Sequence, residues 1–504
     1  MKLRTSGLCV GAWAAVASAC GPPPAGPRAV PHAVPSVSAS AARAPGPLDV
    51  RPELPAAVPF RAAEPLIYTT ASGLTVWLIE RPQAGTVSMC IAMPAGSASD
   101  PPTEPGLAHI TASMLDEGAG TRDAIAVSTA FTDLGTSLQT SVALDGSTIG
   151  LTVLRRYFDA AFSVFGDVVS RPHFDPKEWA RVSALWTNEL RQRADEPETV
   201  AELVSRAVLY GADTPYGHPA SGRLETAEAM KLEHLRSFYR TAWRPDRALL
   251  VVAGNVSKVE LDAAIARAFG GWKKPVTPPP PPLDSPKPRD ERPRLVVVDR
   301  PDAPQTVITV IRPGVAASAP AAPLLELVNN ALGGSFTSRL NQNLRETHGW
   351  TYGAGSAMVQ ARGTGPFVAS SAVVAEATLP ALHEMLGEID RMATAGLTDD
   401  EYTKGRARDL SSLMETNETV EGLTWRLGVL GMLGLPPGFD ATASQRRQAA
   451  SKDEIAALAK TYLDTSTASI VVVGPRAQIE AGLAALGRGP AEAWSTDGRP
   501  LAKK

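Results

Sequence analysis

The chain contains two similar segments, and that repetition limits its fold more than any other feature. Ala248–Gly254, ALLVVAG, reads as a buried strand ending in glycine, and the helical run Lys258–Phe269 follows it. Ala468–Gly474, ASIVVVG, repeats the pattern and is followed by Ala477–Leu486. Upstream, Leu74–Glu80 and Val87–Met93 precede one helical segment, as Leu295–Val298 and Thr306–Ile311 precede another at Pro323–Leu332. Between the copies lies Lys273–Pro293, whose five consecutive prolines predict a stiff polyproline spacer. Self-similarity of this kind predicts an internal duplication. Ser137–Leu154, with Asp145-Gly146 at its centre, reads as a hairpin. Helical spacing of apolar residues marks Glu178–Arg193, Glu198–Leu209, Ala377–Ala393 and Asp400–Leu413. The fold class is therefore α+β: two homologous halves, at 64–272 and 294–490, joined by a Pro-rich linker at 273–293, with a tail at 491–504.

The N-terminus predicts export. Lys2 and Arg4 precede the apolar run Gly7–Ala19, too short to span a bilayer and suited to a signal peptide over 1–20. Ala17-Ser18-Ala19-Cys20-Gly21 resembles a bacterial lipoprotein signal, although Ala17 stands where leucine is more usual. Cys20 is the expected lipidation site, and the alternative is simple cleavage after Ala19. Residues 21–63, rich in Pro and Ala without periodicity, read as a tether. The expected location is the periplasmic side of a bacterial envelope, held by a lipid anchor. Gly21 and Pro22 carry no acidic retention signal, which points to the outer membrane. Of three cysteines, Cys9 would leave with the signal and Cys20 would carry lipid, so Cys90 is expected as a lone core thiol. A net charge of −3 and 6% aromatic residues give no sign of a nucleic-acid partner.

The chemistry is legible as a loss. A hydrolytic zinc site needs three side-chain ligands, an open position for water and a base. The arrangement His-x-x-Glu-His supplies two ligands and the base from little more than one helical turn. In Gly106–Gly120, GLAHITASMLDEGAG, His109 takes the first place, but Ala112 and Ser113 stand at the Glu and second His positions. The seven histidines are 32, 109, 173, 218, 234, 348 and 383, and no two lie within five positions. No single helix can therefore present a histidine pair to one ion. A peptidase with a relocated metal site assembled from distant histidines stays open as a reading.

The surroundings of His109 resemble the active-site helix of the pitrilysin/insulinase-type zinc metallopeptidases. The resemblance runs from about Tyr68 to Pro475 and implies two similar halves closing like a clam. It makes Glu189, in LWTNELRQR, the counterpart of the third zinc ligand; the alternative is a solvated carboxylate. It also implies that Gly96 and Ser97, in PAGSAS, form the edge that pairs with extended substrate; a Gly-rich turn explains them equally. Leu332–Tyr352, LGGSFTSRLNQNLRETHGWTY, resembles the family's Arg/Tyr segment, with Arg345 and Tyr352 as the pair. In active relatives these residues hold the peptide at the scissile bond, and both can donate to a developing oxyanion. Gly333-Gly334 lacks the Lys-Ser/Thr of a phosphate loop and reads as a helix-terminal turn. Some family members work as pairs in which one subunit carries zinc and the other carries Arg and Tyr. The expectation is thus a non-catalytic subunit with no cofactor of its own, a homologous partner bearing Zn, and a peptide substrate. The alternative is a peptide-binding or scaffold protein of the envelope.

Overall fold

The computed structural model describes residues 62–280, 286–289 and 293–502. The signal peptide, Cys20 and the tether through residue 61 lie outside the described residues.

Two six-stranded sheets account for the duplication. The first is built from β1 (Leu66–Thr69), β2 (Thr75–Glu80), β3 (Thr86–Met93), β4 (Gln139–Val142), β5 (Ser147–Leu154) and β6 (Leu249–Gly254), in the order β1-β2-β6-β3-β5-β4. The second contains β7 (Leu295–Asp299), β8 (Gln305–Pro313), β9 (Thr351–Met358), β10 (Pro366–Val374), β11 (Ser469–Gly474) and β12 (Glu492–Trp494), in the order β12-β7-β11-β8-β10-β9. Each sheet has a parallel pair, β2 with β6 and β7 with β11, continued by an antiparallel strand, β3 beside β6 and β8 beside β11. The copies differ at one edge. β1 runs antiparallel to β2, whereas β12 runs parallel to β7 and comes from the segment read as a tail.

Both faces of each sheet are covered, which is why LLVVAG and SIVVVG are apolar without alternation. One face packs on the half's own helices. Met89, Ile91 and Met93 of β3 point into that core, as do Ile308 and Val310 of β8. The other face is covered by a helix from the opposite half. The Pro197–Tyr210 helix lays Val200, Val204, Ala207 and Val208 on Val296, Val298, Val471 and Val473 of the second sheet. Reciprocally, the Val420–Met432 helix sets Leu423, Leu427 and Leu430 against Trp77, Ile79, Leu249 and Val251 of the first. Cys90 and Ala92 are small and face this helix, and a Cβ on Gly428 would already stand 3.1 Å from the Cys90 Sγ.

In place of a hinge at the linker, the halves are therefore interlocked. At about 1.5–3 kcal/mol for each Val or Leu side chain, uncovering both patches would cost on the order of 20 kcal/mol or more. That exceeds the ~5–15 kcal/mol by which a whole domain is ordinarily stable.

The turns of the two β-hairpins also meet. Asp145, between β4 and β5, accepts from Tyr216 Oη at 2.6 Å and from the Arg362 N–H, between β9 and β10, at 2.7 Å. Tyr210 Oη donates to the Thr364 carbonyl at 2.7 Å. The described parts of the linker lie against this body. Arg244, braced by Asp246, donates to the carbonyls of Thr277 and Pro278, and the Arg289 N–H donates to the Leu209 carbonyl.

Candidate functional site

In the first half, the Leu107–Ser113 helix starts at Gly106, whose φ of 95° favours glycine. A Cβ there would also stand 2.6 Å from Gly222 Cα and 2.8 Å from Trp186 Cζ2, so two glycines and an indole hold the helix against the Pro176–Arg193 helix. Asp100 fixes the start. Its carboxylate accepts from the N–H groups of Gly106 and Ala108, both at 2.7 Å, while burial pushes its pKa up to about 8 against those two bonds.

His109 is partly buried on this helix. Desolvation, reinforced by the positive charge of Arg193, pulls its pKa down to about 4, so the imidazole is neutral at neutral pH. Ala112, 1% exposed, offers only a methyl group. Ser113 turns its hydroxyl back to the His109 carbonyl at 3.0 Å. Glu189 is exposed on the Pro176–Arg193 helix, and partial desolvation raises its pKa. Arg193, four residues on and on the same face, donates to Ser221 Oγ at 2.9 Å and to the Gly222 carbonyl at 2.8 Å.

Zinc, which the family implies, does not fit this donor set. The set offers one imidazole and one carboxylate, a methyl group in place of the base, and a hydroxyl committed to the backbone, with a guanidinium close enough to oppose a cation. Among the described residues, no group of three His, Cys, Asp or Glu side chains is placed to hold a metal ion.

The substrate-edge expectation at Gly96 and Ser97 requires correction. Both residues are buried, the Ser97 and Ala98 N–H groups already donate to the Ala143 and Leu144 carbonyls, and a Cβ on Gly96 would stand 2.3 Å from the Ala143 oxygen. A segment so enclosed by the hairpin turn cannot accept another strand. The sheet's edge on this side is β4, Gln139–Val142.

The second half carries the Arg/Tyr segment. The Ala322–Leu332 helix ends at Gly333, the helix-terminal turn expected from the sequence. That glycine is required because a Cβ would stand 2.3 Å from the Ser356 nitrogen. Ser356 N–H donates to the Gly333 carbonyl at 3.1 Å and Ala354 N–H to Asn341 Oδ1 at 2.8 Å, which seals the outer side of β9. Arg339 grips Glu401 through two bonds of 2.7 Å. Gln342–Thr347 forms a π-type turn, with the His348 N–H donating to the Asn343 carbonyl at 3.1 Å. The chain then reverses at Gly349, φ 65°, into β9.

Arg345 lies on the π-type turn and Tyr352 is the second residue of β9, 90% exposed. The Arg345 guanidinium carbon is 4.6 Å from the centroid of the Phe336 ring, and its Nε is 3.4 Å from Glu346. The sequence reading missed Phe336, Asp100 and Arg193. Phe336 alone carried a signal, an aromatic set among Ser and Thr in a polar turn.

Comparison with known proteins adds the lineage. A family model described as insulinase (peptidase family M16) matches residues 75–215, and one described as the peptidase M16 inactive domain matches 229–408. An uncharacterized zinc protease of Mycobacterium leprae is 31% identical over 294 residues, 58% of this chain and 65%, just under two thirds, of that protein. Another, from Mycobacterium bovis, is 29% identical over 360 residues, 69% of this chain and 80% of that protein. The crystal structure of a peptidase M16 inactive domain from Pseudomonas fluorescens superposes with a TM-score of 0.76 at 23% identity, covering 82% of this chain and 98% of the other. A protease from Helicobacter pylori gives 0.75 at 16% identity, over 82% of this chain and all of that one. Two interlocked homologous halves, each matched in part by a model of the same lineage, make this chain a member of the insulinase, or M16, peptidase family.

Proposed function

We propose that this chain is the non-catalytic subunit of a heterodimeric zinc peptidase, exported and lipid-anchored through Cys20. In this reading it lends Arg345 and Tyr352 to an active site whose zinc, ligands and base belong to a homologous partner. The observation that carries the reading is the contrast within one chain. The helix of His109 lacks the base and the second histidine, while Arg345 and Tyr352 keep side chains open to solvent. A guanidinium and a phenol so placed can both donate to a tetrahedral oxyanion forming on a peptide held by the partner.

The test is reconstitution. The purified chain, analysed for metal and found without stoichiometric zinc, is added to a homologue with an intact His-x-x-Glu-His. Peptide hydrolysis should rise. Arg345→Ala should lose about 100-fold of that gain while still associating, as removal of one oxyanion donor does elsewhere. Tightly held zinc in the chain alone, or an unchanged rate with Arg345→Ala in an intact complex, would overturn the proposal.

One feature favours the alternative of peptide capture without hydrolysis. β4 pairs with β5 along one side only, and a sheet edge of this kind can take an extended peptide as an added strand without any metal. Peptide affinity in the isolated chain with no stimulation of any zinc-bearing homologue would support that reading.

A further inference from the structure

We propose that Phe336 is a positioning residue that holds the Arg345 guanidinium in its donating orientation; this rests on the functional reading above. Phe336 is 59% exposed, unusual for a phenylalanine outside any core cluster, and its ring lies under Arg345 at 4.6 Å. Arg345 has a second neighbour, the carboxylate of Glu346 at 3.4 Å.

The two neighbours do different things to the guanidinium. A ring engages its π face and leaves the in-plane N–H groups free to donate outward. A carboxylate engages those N–H groups themselves. The energies are comparable, about 0.5–1 kcal/mol for an exposed cation–π contact and about 0–1 for an exposed ion pair. Both contacts are made at once: Glu346 lies beside Nε while the ring covers the guanidinium face. The ring's part is to keep the remaining N–H donors outward, and without it they are free to swing towards Glu346. The π-type turn over Gln342–Thr347 and the Gly333–Gly334 turn bring ring and guanidinium together from positions nine residues apart in the sequence.

The experiment uses the full chain with Phe336→Leu, which keeps apolar bulk without a ring face, and Phe336→Trp, which keeps the face. The first readout is the Arg345 Nε–H resonance of the isolated chain, assigned by its loss in Arg345→Lys. It should be displaced upfield by the ring current in the wild type and in Phe336→Trp, and return to the ordinary position in Phe336→Leu. The second is hydrolysis by the reconstituted pair. Phe336→Leu should lower the stimulated kcat about two- to five-fold with KM little changed, and Phe336→Trp should restore it. No ring-current shift, or equal stimulation by the Leu and wild-type chains, would overturn the proposal. The two failures are separable. If the wild type does not stimulate, the partner reading falls, and the resonance still decides whether the ring holds Arg345.

Discussion

The helix of His109 in the first half and the segment of Arg345 in the second are the chain's two candidate functional segments, and they are held in place in different ways. The first is held by packing that needs no chemistry. Gly106 abuts Gly222 and Trp186, Asp100 caps the helix start, and Ala112 is buried. The second is rigid beneath, where Asn341 and Gly333 seal β9 and Arg339 grips Glu401, but its Arg and Tyr reach solvent. A frame under structural constraint can lose its reactive side chains and persist. Tyr352, which projects from the second segment and is 90% exposed, has no comparable packing role within the chain.

The comparison can be broken most severely where the halves interlock. Leu427→Ala, on the helix that covers the first sheet, should cost about 2–5 kcal/mol. Urea unfolding of this variant should show one transition, with both halves lost together, and a surviving half would refute the interlock.

Next is acid. Burial holds both His109 and His218 at pKa values of about 4, below the ordinary value near 6.5. At these two sites the unfolded chain binds more protons than the folded one, so their contribution to stability is full above pH ~6.5 and is lost as the pH drops towards 4, while the raised pKa of Asp100 acts in the opposite direction. For the fully buried His218 the loss by pH 5 is about 2 kcal/mol, and His218→Gln should flatten that part of a stability–pH curve.

Asp100→Ala, which removes the cap from the degenerate helix, should cost about 1–2 kcal/mol by the same unfolding measurement. It should leave the stimulation of a partner unchanged once corrected for folded fraction.

The smallest effect sharpens the comparison most. His109→Ala should alter stimulated hydrolysis less than about two-fold, against the large loss for Arg345→Ala. A comparable loss at His109 would mean that the first half still takes part in the chemistry.

Much of this was readable before the structure. Strands such as Leu249–Gly254 and Ser469–Gly474 announce themselves as unbroken apolar runs, the Asp145-Gly146 turn marks its hairpin, and the paired runs reveal the duplication. The helix exchange was not readable. Val200, Val204 and Val208 form an apolar stripe that looks the same whichever sheet it covers. The misplacement of the edge at Gly96 and Ser97 has a similar cause. A Gly-Ser segment records backbone freedom, but not whether its N–H groups are already taken, and here Ala143 and Leu144 take them. His109, Ala112, Ser113, Arg345 and Tyr352 could be located through the resemblance of their segments to the family's motifs. The neighbours that set their behaviour, Arg193 and Phe336, lie 84 and 9 positions away and are brought in only by the fold.

The exchanged helices also govern what a lineage carrying this chain can discard. A gene trimmed of its first half would lose the Pro197–Tyr210 helix and leave the valines of β7 and β11 bare. The first half thus serves as a covering for the second, and a substitution at His109, Ala112 or Ser113 leaves that covering in place where loss of the helix would not.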